Sequence, residues 1–436
     1  MSMYDTEAEK VLEQWATSKY ALLDEKIRHG FSPTTKPELQ MARCCIEYHG
    51  DLYIGGTGTA WKLDKYLGLE KVVEEKGRTF GLRYYHDNTD KIALGPYVID
   101  EEGAHETEQV NDRYQDWRAC EHRTDPDTLI HVASSDELCE LNPETQEVSL
   151  VTDYWDTGSR SVFDLEKYGG NIYAASCKDG LYYWDGSSWT QVEAGKYRAL
   201  NALREGGVLI AFGWDARSAF LNFTPDGTTW TKYRLPKAHD FWGNTEATNA
   251  IIRHVNPHAT LADLFGICYI VTDSYDTPGV PETFIPKPMG THLSTFEDFT
   301  TWRGRLAVLG TANWWRSHER SGADTGLRVM TLEDLYEMGK PHGHGGVWKG
   351  TSVDAGETSD PFLVNGFDQK TIHLETDGAT DFDIEVDPIG DGSWKTYDTV
   401  SFGGAGYDPY IMSGDAIWVR IKSSNAVTAT AWFNLR

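Results

Sequence analysis

Short apolar runs, most of them preceded by glycine, return along most of the chain. Seven runs share this form, at residues 52–54, 92–94, 129–132, 172–175, 208–212, 267–271 and 306–309. Continuous apolar runs of this length indicate strands that are covered on both faces, and glycine suits the sharp turns before them. Apart from one longer interval, between residues 209 and 267, the runs return about every 40 residues, which is the spacing of a four-stranded propeller blade. The pattern therefore predicts an all-β chain built on a seven-bladed β-propeller.

The pattern changes near residue 360 to alternation of apolar and polar positions, interrupted by Gly and Asp turns. Five strands are predicted from it, at residues 371–375, 382–386, 394–397, 417–421 and 427–433. Alternation of this kind is typical of a small antiparallel β-sandwich. We expect a propeller over residues 38–350 and a sandwich over residues 351–436. The Gly- and His-rich segment 339–348 is predicted to connect them, with His342 and His344 in a turn.

Helical spacing appears near the N-terminus. Apolar positions recur over residues 5–29, Thr6 and Glu9 form a capping box, and Gly30 ends the pattern. Residues 1–37 are therefore predicted to form a helix and a linker that either cap the propeller or anchor it to a larger assembly. Residues 66–80 are predicted to form a second, short helical insertion.

Composition and net charge limit the classes of partner that we expect for this chain. The 42 Gly, 16 Trp and 22 Tyr suit a β-rich chain with many turns. The net charge of −27 argues against nucleic acid and anionic membranes as partners. The six cysteines show no CxxC spacing, and most of them are predicted to be small core residues. No secretory signal and no apolar run of membrane-spanning length is visible, so we expect no membrane insertion, and a virion or an extracellular location stays open.

Polar and aromatic side chains concentrate in two stretches, 239–258 and 292–320. Aromatic rings can stack on the apolar face of a sugar, while Arg, His and Asn bind its hydroxyl or carboxylate groups. The predicted ligand-binding residues are Trp242, Arg253, His258, Trp314, Trp315 and Arg320. We expect them at one end of the propeller channel. The alternative is structural: Trp302 and Trp315 would be blade core, and each histidine a hydrogen-bonded core residue.

Catalysis would need a base and a cation. In a polysaccharide lyase, a His base and an Arg that neutralises a uronic carboxylate supply these roles, and the candidates are His254, His292 and Arg316. A glycosidase would need two carboxylates at a set separation. No GxSxG, HExxH or P-loop pattern is present, so the sequence alone does not make the chain an enzyme.

Two acidic segments are candidates for calcium, which prefers oxygen ligands. They are residues 100–112 and the turn at residues 387–392. Neither has the ligand spacing of a known metal loop. We therefore predict no cofactor and no metal site, with calcium as the one ion that these segments could bind.

Two hairpins, at residues 180–189 and 220–230, resemble the Asp-box turns of sialidase-type propellers without the full motif. A broader resemblance is carried by Thr291-His292, Trp302-Arg303-Gly304, Glu357–Leu363, Gly366–Lys370, Ile384–Asp387 and Trp418-Val419-Arg420. These segments resemble a group of bacterial propeller proteins with a C-terminal sandwich, over residues 290–436. The resemblance implies that architecture and a role in glycan handling, and it carries over no catalytic residue.

Two functions follow as predictions. The first is a non-catalytic glycan-recognition or structural attachment module of a virion or cell-surface assembly. Its partner would be a glycan or glycoprotein surface, with the sandwich as a second contact surface. The alternative is a carbohydrate-active enzyme, a polysaccharide lyase before a glycosidase, with its site at one end of the propeller.

Overall fold

The computed structural model describes most of the chain. The described residues are 44–66, 68–79, 83–108, 119–132, 137–152, 162–203, 207–239, 250–256, 259–272, 285–292, 295–311 and 326–436. The predicted N-terminal helix over residues 5–29 lies outside them. The described chain is almost entirely β, and its one helix is α1 (Asp334–Glu337). It divides into two compact units.

The first unit holds small antiparallel sheets whose strands follow one another in chain order. The first sheet consists of β1 (Cys44–Tyr48), β2 (Asp51–Gly55), β3 (Thr57–Leu63) and β4 (Leu69–Thr79). The second consists of β5 (Arg83–His86), β6 (Lys91–Leu94), β7 (Tyr97–Asp100) and β8 (Gly103–Glu106). The third consists of β9 (Ala119–Glu121), β10 (Leu129–Val132), β11 (Leu138–Leu141) and β12 (Val148–Thr152). The fourth, which lies mainly in this unit, is β13 (Val162–Tyr168), β14 (Asn171–Ser176), β15 (Gly180–Trp184) and β16 (Trp189–Ala194). The last to be described in this unit is β25 (Thr295–Trp302), β26 (Arg305–Thr311) and β27 (Gly326–Met330).

Apolar clusters join neighbouring sheets of the first unit. One cluster joins β1–β4 to β5–β8, a second joins β5–β8 to β9–β12, and a third joins β9–β12 to β13–β16. A fourth joins the sheet of β25–β27 to that of β1–β4. At its centre Trp302 is fully buried, and its indole Nε1 donates to the Gly50 carbonyl at 3.0 Å. Trp302 is therefore a core residue, as the structural alternative expects.

The second unit begins with two more four-stranded antiparallel sheets. Their strands are β17 (Lys196–Leu203), β18 (Val208–Trp214), β19 (Ala219–Thr224) and β20 (Thr231–Leu235), then β21 (Ala250–Asn256), β22 (Ala259–Leu264), β23 (Ile267–Thr272) and β24 (Ile285–Thr291). Six of the seven apolar runs are the second strand of a sheet, and 267–271 is a third strand. The second strand there, β22, was missed because buried Thr260 and Asp263 interrupt its apolar pattern.

The remaining strands of the second unit form a pair of sheets that we call the C-terminal sheets. The strands are β28 (Gly343–Val353), β29 (Phe362–Leu363), β30 (Lys370–Thr376), β31 (Thr380–Asp387), β32 (Lys395–Phe402), β33 (Gly406–Met412), β34 (Trp418–Ser423) and β35 (Val427–Leu435). One sheet has the order β28-β35-β30-β33 and the other β29-β34-β31-β32. Their buried faces meet through stacked Phe362 and Phe433, whose ring centroids lie 4.3 Å apart.

Two predictions about local structure are wrong. Residues 343–348 are not a connector but the start of β28, which pairs with β35 along its length. Residues 69–79 are not helical but form β4, which pairs with β3. Lys71 and Glu74, whose i,i+3 spacing is also found on helices, form an ion pair at 2.9 Å within this strand. The six cysteines all lie in described residues and are buried, which confirms their prediction as core residues.

Arg234 joins the sheet of β17–β20 to the C-terminal sheets. β20 and β29 pair in parallel at this residue, so the two sheets are continuous. The buried guanidinium donates to Asp360 Oδ2 at 2.8 Å, to Asp215 Oδ2 at 3.0 Å and to Ser218 Oγ at 2.8 Å. Burial would raise the pKa of Asp215, but the Arg234 charge and the backbone N–H groups of Ser218 and Arg217 hold that pKa below its ordinary value. The link is therefore a desolvated ionic network whose members depend on one another.

Candidate functional site

The structure describes only part of the predicted propeller-end site. Trp242, His258, Trp314, Trp315, Arg316 and Arg320 lie outside the described residues. The backbone of His254 lies in β21 opposite Thr260, and its side chain is not described. Arg253 is half-buried, and its Nη1 donates to the Ile252 carbonyl at 2.8 Å. Whether these residues form one pocket therefore stays a prediction.

His292 is described and is buried. It follows β24 directly, its backbone N–H donates to the Gly266 carbonyl at 2.9 Å, and its ring Nε2 lies 3.0 Å from Asp263 Oδ1. Its exposed fraction is 7%. A side chain in this position contacts core residues, as the structural alternative for the histidines predicted.

Aromatic and polar side chains share the outer face of the C-terminal sheet β28-β35-β30-β33. Directly paired residues of an antiparallel sheet point to the same side. One row of pairs runs His344–Asn434–Thr371–Ile411, and the next runs Gly346–Trp432–His373–Pro409. A third row pairs Thr430 with Glu375 and Glu375 with Tyr407. We call the surface made by His344, Trp432, Asn434, His373, Tyr407 and Ile411 the aromatic face.

Trp432 lies flat on the sheet because Gly346 beneath it has no side chain. A Cβ added to Gly346 would lie 2.6 Å from Cε3 of the Trp432 ring. His344 stacks beside the indole, with ring centroids 6.1 Å apart and an angle of 26° between the rings. Lys349 Nζ lies 5.3 Å from the centre of the Trp432 ring. The half-buried indole is therefore held in a fixed position on the face.

His373 lies beside Trp432 in the second row and contacts Tyr407 and Asn434 in the two neighbouring rows. Its Nδ1 lies 2.7 Å from the Tyr407 hydroxyl, and its Nε2 lies 2.8 Å from Asn434 Nδ2. The rings of His373 and Tyr407 are stacked at 6.0 Å and 17°. Tyr407 and Ile411 remain 58% and 75% exposed, although both are large apolar side chains. Hydrogen bonds thus order the polar groups while the rings stay open to solvent.

A cleft continues the aromatic face where β28 begins and β35 ends. Its volume is about 470 Å³, and Lys340, His342, His344, Asn434 and Arg436 are among the residues that line it. Lys340 Nζ donates to Asp368 Oδ2 at 2.8 Å, which positions one cation at the rim. The face and the cleft together offer flat rings, amide and imidazole groups and cationic side chains. This is the set of groups that binds hydroxyl-rich or carboxylate-bearing sugars.

A second cleft, in the first unit, is strongly acidic. It has a volume of about 460 Å³, and Tyr48, His49, Asp100 and Glu101 are among its lining residues. Asp100 Oδ1 accepts from the Glu102 backbone N–H at 2.9 Å and lies 2.9 Å from His105 Nε2, and Asp100 Oδ2 lies 3.4 Å from Lys91 Nζ. Burial and nearby carboxylates raise the pKa of Tyr48 to about 12. That segment 100–112 holds no metal stays a prediction, and its Asp100 carboxylate already has protein partners.

In the other acidic segment, residues 387–392, the Asp387 carboxylate stabilises the turn itself. Asp387 is buried, and its Oδ1 and Oδ2 accept from the backbone N–H groups of Gly390 and Gly392, each at 2.8 Å.

Among the described residues, no helix has the length and apolar character needed to span a bilayer.

Comparisons with known proteins assign no family. No protein-family model matches the chain, and no curated protein does. Among solved structures, the extracellular domain of a putative hybrid two-component system from B. thetaiotaomicron is 12% identical, with a TM-score of 0.44. That match covers 67% of this chain and only 38% of the other, so this chain spans well under half of that neighbour's length.

Two further solved structures are similar over a comparable part of the chain. A chain of the mitotic checkpoint complex is 7% identical, with a TM-score of 0.46, and the match covers 69% of this chain and 95% of that one. Kuenenia stuttgartiensis hydrazine synthase is 10% identical, with a TM-score of 0.47, and the match covers 70% and 99%. These similarities extend to a β-rich fold and to nothing finer.

Proposed function

We propose that this chain is a non-catalytic glycan-recognition module that binds its ligand on the aromatic face. The observation that carries the proposal is the combination of Trp432, held flat on Gly346, with the exposed Tyr407 and the hydrogen-bonded His373 and Asn434. Flat rings and ordered polar groups on a sheet face suit a sugar, which has an apolar ring face and a rim of hydroxyls.

We further propose that the small sheets are the blades of a seven-bladed propeller and that the C-terminal sheets are a β-sandwich. In the first unit, β1 contacts β5, β5 contacts β9 and β9 contacts β13, while β1 also contacts β25 of the last small sheet. In the second unit, β17 contacts β21. Contact between first strands in chain order, together with contact between the first and last sheets, is expected of a closed ring.

The propeller in this proposal is the scaffold, and the sandwich presents the site. The Arg234 network fastens the fifth small sheet to β29, and the sheet of β29 packs against the sheet that carries the face. A site on rigid strands loses less conformational entropy on binding than one on loops.

A glycan-array screen of the full chain tests the proposal. We expect binding to a restricted set of glycans, and no unsaturated uronate product when the bound glycans are incubated with the chain and followed by ultraviolet absorbance. Release of unsaturated product would instead favour a polysaccharide lyase. Binding to no glycan on an array that includes acidic and neutral polysaccharides would contradict the proposal.

Replacing Trp432 with alanine is expected to weaken binding to a glycan found in that screen. Loss of the stacking ring removes about 1–3 kcal/mol of apolar burial, which corresponds to a roughly 5- to 150-fold rise in Kd. Trp432→Phe keeps a flat ring and should retain much of the affinity. Calorimetric titration of both variants measures the difference, and equal affinity of Trp432→Ala and the parent chain would place the site elsewhere.

A further inference from the structure

Three potential metal ligands meet in the buried part of the sheet of β21–β24. They are Asp263 of β22, Cys268 of β23 and His292, which follows β24. Asp263 and Cys268 are directly paired, so their side chains share one face. One ligand atom from each residue lies within 4.8 Å of the other two. All three side chains are buried, with exposed fractions of 1%, 0% and 7%.

The Asp263 carboxylate is incompletely satisfied. Oδ1 lies 3.0 Å from His292 Nε2, but Oδ2 is buried and has no hydrogen-bond partner among the described residues. A buried carboxylate is costly unless other groups compensate its charge and lone pairs. A cation held between Asp263 and its neighbours would provide that compensation.

We propose that Asp263, Cys268 and His292 form a binding site for a divalent transition-metal ion, with Zn²⁺ as the best match. Thiolate, imidazole and carboxylate are the three ligand types that zinc takes in proteins, and three protein ligands leave one position for water or a fourth group. The soft thiolate disfavours Ca²⁺ and Mg²⁺, which take oxygen ligands. The site is independent of the glycan proposal and lies in a segment for which the sequence predicted no metal.

The charges of the ligand set match a divalent ion. Binding of a divalent ion would release the thiol proton and leave two anionic ligands and one neutral ligand around two positive charges.

Cobalt substitution of the full chain tests the site. The chain is treated with a chelator under native conditions and titrated with Co²⁺, whose bonds to thiolate give intense near-ultraviolet charge-transfer absorption. We expect this band to saturate at about one Co²⁺ per chain, and Zn²⁺ to displace the cobalt. In the parent chain, Zn²⁺ should also raise the melting temperature, because only the folded chain brings the ligands together.

Two variants separate ligation from general metal affinity. Cys268→Ala should abolish the charge-transfer band, and His292→Ala should weaken Co²⁺ binding by at least about 10- to 100-fold, the loss caused even by removing an outer partner of a ligand. Cys139→Ala removes another buried thiol and should leave the band unchanged. If the parent chain shows no thiolate band, or if the band survives in Cys268→Ala, the proposal is wrong. A parent chain without the band overturns the proposal whether or not the variants fold.

Discussion

Arg234→Ala is expected to lower the free energy of unfolding by about 3–5 kcal/mol, the cost of removing one partner from a buried ion pair. The guanidinium is 1% exposed and lies between Asp215 and Asp360. Its loss removes the buried cation between these two carboxylates at the junction of β20 and β29. Denaturant unfolding, followed by tryptophan fluorescence, measures the change.

Arg217→Ala is the matched control. Arg217 also binds Asp215, at 3.2 Å, but its side chain is 32% exposed. Because water screens partly exposed pairs, its loss should cost no more than about 1 kcal/mol. Equal effects of the two substitutions would contradict the account of Arg234 as the buried centre of the network. A small effect of Arg234→Ala would mean that the C-terminal sheets do not depend on this junction.

Trp302→Ala is expected to be similarly costly, at about 3–5 kcal/mol, because it opens a cavity in a packed core. Trp302 is fully buried in the cluster that joins the sheet of β25–β27 to that of β1–β4. Trp302→Phe keeps most of the packing and loses the hydrogen bond to Gly50, so it should cost less. The melting temperature and denaturant midpoint of the three chains measure these differences.

Trp61 provides the comparison within the same cluster. It is only partly buried and packs against the cluster from outside. Trp61→Ala should therefore cost less than Trp302→Ala. If Trp302→Ala melts like the parent chain, the cluster between the first and last small sheets does not stabilise the first unit, and the proposed ring closure loses its main support.

Much of the strand pattern could be predicted because strands covered on both faces must be apolar throughout. β14 and β18 are of this kind, and their positions follow directly from the sequence. β28 could not be predicted in this way. Its Gly345 and Gly346 look like turn residues, but they allow Phe362 and Trp432 to pack against the strand. The sequence alone does not distinguish a glycine that permits close packing from a glycine that permits a turn.

The candidate site was missed for a different reason. The alternation of Thr428, Thr430, Trp432 and Asn434 along β35 does predict an outward polar face. What the sequence could not show is which residues stand beside them. His344, His373 and Tyr407 come from three other strands, and only the pairing register brings them to Trp432 and Asn434. The propeller-end residues, including Trp242 and Trp314, stay a prediction.

Titration calorimetry of Tyr407→Ala and Tyr336→Ala with the selected glycan tests the central claim most directly. Both tyrosines are exposed, at 58% and 49%, and Tyr336 lies on α1 and is not one of the residues of the face or the cleft. We expect Tyr407→Ala to raise the Kd by roughly 5- to 150-fold, as loss of about 1–3 kcal/mol of ring burial would. Tyr336→Ala should bind as the parent chain does. Unchanged affinity in Tyr407→Ala, with a normal melting temperature, would contradict glycan recognition by the aromatic face.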